Sequence, residues 1–182
     1  MNTVTKLAFL LCCVMVIKAR RTYIIVDEAL KPCENAADKN DLFDYSNMQI
    51  IPENDTHTFL NGTIKFLKEM TDTWHLHLHT EHYERGKFLP QAYVQDIADY
   101  CKEIHNPVQP WFYATKDLKG CPVPKDHVYE INMVPIEFPK ATMALLPNHY
   151  EGRWRLIIDG IFNSGGVESY ECKMGFGNLY IE

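Results

Sequence analysis

From residue 23 onward the chain alternates apolar and polar residues in one stretch after another. Successive side chains of a strand point to opposite faces, whereas a helix repeats every 3.6 residues. A mainly β fold follows. The strands read at 23–27, 45–51, 59–70, 73–80, 128–138, 152–162 and 168–181. Asn61-Gly62 supplies a turn or a bulge, Asn163-Ser164-Gly165-Gly166 a turn, and Pro135 an edge or break in its strand. One segment departs from the pattern. Val94, Ile97, Ala98, Cys101 and Ile104 recur at three- and four-residue steps, so 94–104 reads as an amphipathic helix that Asn106-Pro107 stops. About seven or eight strands with one short helix describe a β-sandwich or cup, the helix lying against one opening or flank.

The start of the chain reads differently. Lys6 precedes an eleven-residue apolar run at 7–17, which ends near the small residue Ala19. A bilayer core needs about 20 apolar residues, and Lys18, Arg20 and Arg21 close this run with charge. Residues 1–19 therefore read as a signal peptide rather than a core helix or signal anchor, and the mature protein is expected to be secreted. Cys12 and Cys13 leave with the leader, so Cys33, Cys101, Cys121 and Cys172 remain in an oxidising compartment. Four cysteines allow three pairings. Cys101 with Cys121 closes a local loop across a turn-rich stretch, and Cys33 with Cys172 ties the mature N-terminus to the last strand. That arrangement is favoured over the other two pairings, and over free buried thiols.

Asn54-Asp55-Thr56 and Asn61-Gly62-Thr63 match the N-glycosylation acceptor pattern, and in a secreted chain they mark surface positions. Cleavage after Ala19 leaves 163 of 182 residues, a single domain over 20–182 with room for a sizeable core. Lys6 and Lys18 are lost, so 16 basic residues face 24 acidic ones, a net charge of −8. No basic patch interleaved with aromatics is present, which argues against a nucleic-acid partner.

Chemistry is sparse. In the run Trp74-His75-Leu76-His77-Leu78-His79, a strand sends the three histidines to one side, about 7 Å apart at alternate positions. Two or three imidazoles could ligate zinc or copper. A solvated strand face is the simpler account, because no second element is placed to complete the site. There is no Gly-x-Ser-x-Gly elbow, no Gly-rich phosphate loop and no His-Glu-x-x-His helix. Asp96, Asp99 and Glu103 fall on the polar face of the expected helix. No enzyme and no cofactor is expected.

What remains is apolar. Phe66, Trp74, Leu76, Leu78, Ile131 and Met133 fall on faces expected to point inward, as do Trp154, Leu156, Ile158, Met174 and Phe176. They either pack as a filled core or, where the sheets part at one end, line a ligand cavity with the 94–104 helix at its entrance. A binding protein for a hydrophobic small molecule or lipid is the first expectation. A secreted interaction protein or cofactor with a filled core is the second, and a metal protein resting on His75, His77 and His79 the third.

Several motifs follow in a set order: Asn61-Gly-Thr-Ile-Lys-Phe-Leu67, the Trp74 strand, Asp99-Tyr-Cys101, Asn106-Pro107, Gly120-Cys-Pro122 and Leu146-Pro147-x-x-Tyr150-x-Gly152-x-Trp154-Arg155. In this order the chain resembles, over about residues 23–181, the insect family of small secreted proteins that includes the CheB chemosensory proteins. That family is similar to the ganglioside activator protein and the ML lipid-recognition proteins. The resemblance implies an ML-like β-cup that holds a lipid or other hydrophobic small molecule without catalysis, in gustatory or pheromone perception. It also implies a membrane surface or receptor as a transient partner. Four mature cysteines are fewer than the ganglioside activator has, and the His-rich strand maps to no site of the family.

Overall fold

The computed structural model describes residues 22–34, 42–71, 74–137, 148–164 and 167–181. The expected leader at 1–19, the Leu146-Pro147 pair and Gly165-Gly166 lie outside the described residues. Nine strands are described: β1 (Thr22–Pro32), β2 (Phe43–Asp44), β3 (Gln49–Asn54), β4 (His57–Phe66), β5 (Trp74–Glu84), β6 (Lys87–Ile97), β7 (Val128–Pro135), β8 (Gly152–Ser164) and β9 (Val167–Ile181). Two single-turn helices, α1 (Tyr100–Glu103) and α2 (Phe112–Thr115), lie between β6 and β7. All sheet pairing is antiparallel. One sheet has the order β1-β9-β8-β5-β6; β4 centres the other, hydrogen-bonded to β2, β3 and β7, and neither closes into a barrel.

The expected helix at 94–104 is mostly strand. Residues 94–97 belong to β6, where Val94 pairs with His79 and Ile97 with Leu76. Helical and strand spacing both accommodate the apolar positions of this segment, and burial separates them: Ile97 is 3% exposed and Val94 55%. A one-sided edge strand explains that contrast. An isolated short helix is marginal, whereas the long ladder with β5 satisfies the backbone along the strand. A turn at Arg85-Gly86, both with positive φ (51° and 85°), reverses the chain so that Glu84 faces Lys87. Helix begins only at α1, where Asp99 accepts from the Lys102 amide as N-cap. Asp96 accordingly sits on a strand and Asp99 caps α1, so neither lies on a helical polar face. The expected strand at 45–51 begins only at Gln49, in β3, because a turn at Ser46 and Asn47 follows the short β2.

Gly62 is a bulge rather than a turn. Its φ is +134°, and a Cβ there would lie 2.1 Å from the Asn47 carbonyl oxygen, so only glycine lets the β2–β3 connection approach β4 this closely. Pro135 ends β7, which pairs with β4 alone among the described strands.

The two sheets share one core of Leu42, Phe66, Met70, Trp74, Ile104, Leu118, Val123 and Phe162. Trp74, 1% exposed, meets Phe43 and Phe162 edge-on, each with ring centroids 5.0 Å away, and donates its indole N–H to the Glu69 carbonyl oxygen at 3.1 Å. Disulfides join Cys33 to Cys172 across 139 residues and Cys101 to Cys121 across 20, with Cα separations of 5.5 and 5.6 Å.

The two sequons have unlike surroundings. Asn54 is exposed at the β3–β4 turn, where its side-chain oxygen accepts from the Thr56 amide at 2.9 Å. Asn61 is half-buried inside β4 opposite Gln49, and its side-chain oxygen accepts from the Met133 amide at 3.2 Å. Expression in a secretory host should therefore place one N-linked glycan, on Asn54. Intact-mass measurement should show Asn54→Gln abolishing the glycosidase-sensitive mass and Asn61→Gln leaving it unchanged.

Candidate functional site

The register of the larger sheet fixes which residues share its inner face. Trp74, Leu76, Leu78, Thr80 and His82 of β5 pair with Phe162, Gly160, Ile158, Leu156 and Trp154 of β8. From β8 the same face passes to Ser169, Glu171, Lys173, Gly175 and Gly177 of β9. At the Trp74 end aromatic rings fill the space between the sheets. Farther along, opposite β2, the sheets part over a cleft of about 400 Å³ whose lining includes Leu30, Phe43, Tyr45 and Lys173. A second, small space of about 30 Å³ shares Leu30, Phe43, Tyr45 and Lys173 with it and is also lined by Leu76, Ile158, Gly160 and Glu171. Gly160 keeps that floor low: a Cβ would lie 3.4 Å from Leu42 and 3.6 Å from Leu76.

Two buried charges stand here. Lys173 is 8% exposed and Glu171 6%, and the ammonium lies 3.1 Å from Glu171 Oε1. Glu171 Oε2 accepts the Leu42 amide at 2.6 Å, and the Tyr45 ring lies 5.9 Å from Lys173 Nζ. Burying an ion pair costs desolvation that its mutual attraction repays only with good geometry and extra hydrogen bonds. The Leu42 amide supplies one. At the rim the Ser46 amide donates to Asp44 at 2.9 Å and holds that carboxyl below the usual range, with smaller contributions from Lys65 and Lys173. The cleft thus sets the apolar side chains of Leu30, Phe43 and Leu67 beside the polar groups of Asp44, Tyr45, Ser46 and Lys173.

No family model and no curated protein matches this chain.

Of the eleven residues expected to point inward, none lines the larger cleft, and two, Leu76 and Ile158, line the small space beside it. Phe66 and Trp74 belong to the aromatic core, and Leu78 and Ile131 are buried elsewhere at 2% and 1% exposure. Trp154 and Leu156 are half-buried on the inner face beyond the cleft, with His82 stacked on Trp154 at 4.6 Å. Met133 does not point inward. It is 48% exposed with φ of 48°, displaced by the irregular pairing of β7 around Gly62. Met174 and Phe176 also fall on the other face, because they pair with Ile157 and Arg155, which share the His79 and Glu81 side. There Lys31 lies 4.5 Å from the Phe176 ring. Nor does a 94–104 helix guard an entrance, since β6 occupies 94–97.

Lys173, Glu171, Leu30, Phe43 and Tyr45 were not among the residues expected at a site. The apolar residues of β9 alternate with them in the sequence and drew the inward assignment instead. The register of β8 with β9 places Lys173 and Glu171: Ser164 pairs with Val167, and counting back pairs Ile158 with Lys173 and Gly160 with Glu171, an alignment for which a Gly-Gly pair between two strands is the sequence signal.

His75, His77 and His79 do share the outer face. His77 Nδ1 lies 2.5 Å from Asp96 Oδ1, which sits 3.8 Å from His75 Nε2; His79 lies 3.8 Å from Asp159. The hydrogen bond with His77 holds the Asp96 carboxyl below its ordinary value. Tyr170 donates to Asp159, and desolvation, followed by that hydrogen bond and the carboxylate charge, pushes its hydroxyl up to about 12. These contacts pair each imidazole with a carboxylate, and no group of three His, Cys, Asp or Glu side chains is arranged for a metal ion among the described residues. No helix among them is long and apolar enough to cross a membrane.

Proposed function

We propose that this chain is a secreted, non-catalytic carrier of a hydrophobic small molecule, held in the cleft between the sheets. The observation behind this reading is the parting of the sheets at Leu30, Phe43, Tyr45, Leu67 and Lys173, beside a smaller space lined by Leu76 and Ile158. Its volume of about 400 Å³ lies toward the small end of ligand pockets, which span about 300 to 1,000 Å³. A single-chain compound suits it, and a two-chain lipid with a sugar headgroup does not. Two disulfides fit an oxidising compartment. The motif order shared with the CheB and ganglioside-activator proteins points the same way, toward an ML-like fold and a role in chemosensory perception.

The test is displacement of a fluorescent fatty-acid probe, with two leucines of one strand as controls for each other. Wild-type protein should take up one probe per chain. Leu76→Trp should fill the cleft floor and abolish uptake in a protein that still folds. Leu78→Trp changes a residue packed outside the cleft, so it should keep uptake and lose about 1 to 3 kcal/mol of stability from overpacking. No saturable uptake by the wild type would reject the carrier reading in favour of an interaction protein with a filled core.

A further inference from the structure

Beside the cleft, β1 bulges. Glu28 pairs with Phe176 and Lys31 with Met174, so Ala29 and Leu30 stand opposite the single residue Gly175. A bulge of two residues against one re-aims a side chain, here that of Leu30, which lines both the cleft and the small space beside it. Gly175 is buried and gives this side chain its seat: a Cβ there would lie 3.1 Å from Leu30 Cδ2, which is the one atom within 4 Å of it among the described residues. Resting on the carrier reading, we infer that Leu30 sets the length of the ligand, stopping its chain at Gly175.

The register locates the stop. Lys173, which lines the cleft, pairs with Ile158, and the next pairs on the same face are Gly175 with Leu156 and Gly177 with Trp154. Same-face neighbours along a strand lie about 7 Å apart, so Leu30 stands over the first step from the cleft toward the half-buried Leu156 and Trp154. Phe43, an apolar wall shared by both spaces, is fixed by the rings of Tyr45, Phe66 and Trp74, whose centroids lie 5.5, 5.2 and 5.0 Å away. Leu30 is 37% exposed and outside that cluster, so trimming it should cost little stability.

Straight-chain primary alcohols from octanol through dodecanol to hexadecanol, each displacing the fluorescent fatty-acid probe, measure that length. In the wild type each added methylene should tighten binding about fourfold up to a best length, beyond which affinity should fall as the chain meets Leu30. Leu30→Ala trims the side chain to its Cβ, and the best length should grow by about three carbons, the number removed. Gly175→Ala pushes Leu30 off its seat and into the cleft, so the best length should shorten. In the double variant the side chain that would be pushed is gone, and the effect of Gly175→Ala should vanish. An unchanged best length in Leu30→Ala, or wild-type affinity that climbs through the whole series, overturns the inference while leaving the carrier reading intact. A wild type that takes up neither the probe nor any of the alcohols overturns both.

Discussion

Replacing Cys33 and Cys172 together with alanine should destabilise the protein by about 2 to 5 kcal/mol, enough to threaten folding at body temperature. The bridge joins the residue after β1 to the middle of β9 and closes a loop across 139 residues, so its loss frees almost the whole described chain in the unfolded state. The Cys33 amide also donates to the Cys172 carbonyl oxygen at 3.1 Å, continuing the β1–β9 ladder past Pro32. Denaturant unfolding of the double variant, compared with one lacking Cys101 and Cys121, gives the check. The second bridge spans only 20 residues and should cost less, since loop entropy grows with length. An equal or larger loss from the short loop would mean that local strain or packing, not chain restraint, sets the stabilisation.

Trp74→Ala should cost about 3 to 5 kcal/mol, the range for removing a large buried aromatic. The ring is 1% exposed between Phe43 and Phe162, and its removal also strips the Glu69 carbonyl of an indole donor. Phe43 connects this core to the site, because its ring packs on Trp74 and also lines the cleft. A Trp74→Ala protein that still folds should therefore bind the fluorescent probe more weakly as well. Chemical denaturation and probe titration on one preparation separate the two effects, and full affinity in a strongly destabilised variant would show that Phe43 is held by other neighbours.

The β character of the chain was legible because alternation is strict where one face is buried: β5 and β8 read directly from Trp74, Leu76, Leu78 and from Trp154, Leu156, Ile158. Both disulfides likewise form between the cysteines that the sequence favours. β6 was misread because an exposed edge strand relaxes the alternation. Val94 can remain apolar on the outside, and its spacing to Ile97 and Cys101 then imitates a helix. β9 misled for the opposite reason. It places Glu171 and Lys173 on the face toward the second sheet and Met174 and Phe176 on the opposite face, where Met174 is nonetheless buried, so apolarity alone assigns the wrong face, and only pairing with β8 corrects it. The cleft itself was beyond periodicity, since it depends on how far β2 stands from the larger sheet, a tertiary distance. The unlike surroundings of Asn54 and Asn61 were hidden for the same reason: the two sequons read alike until β4 is placed beside β3.

Native mass spectrometry of the secreted protein, before and after incubation with dodecanol, puts occupancy of the cleft to the most direct test. The expected spectrum shows one small single-chain molecule per protein chain, either carried from the host or added with the dodecanol, and bare protein for Leu76→Trp. Wild-type protein that stays bare at saturating dodecanol, or a Leu76→Trp variant that keeps its adduct, would contradict ligand binding between the sheets.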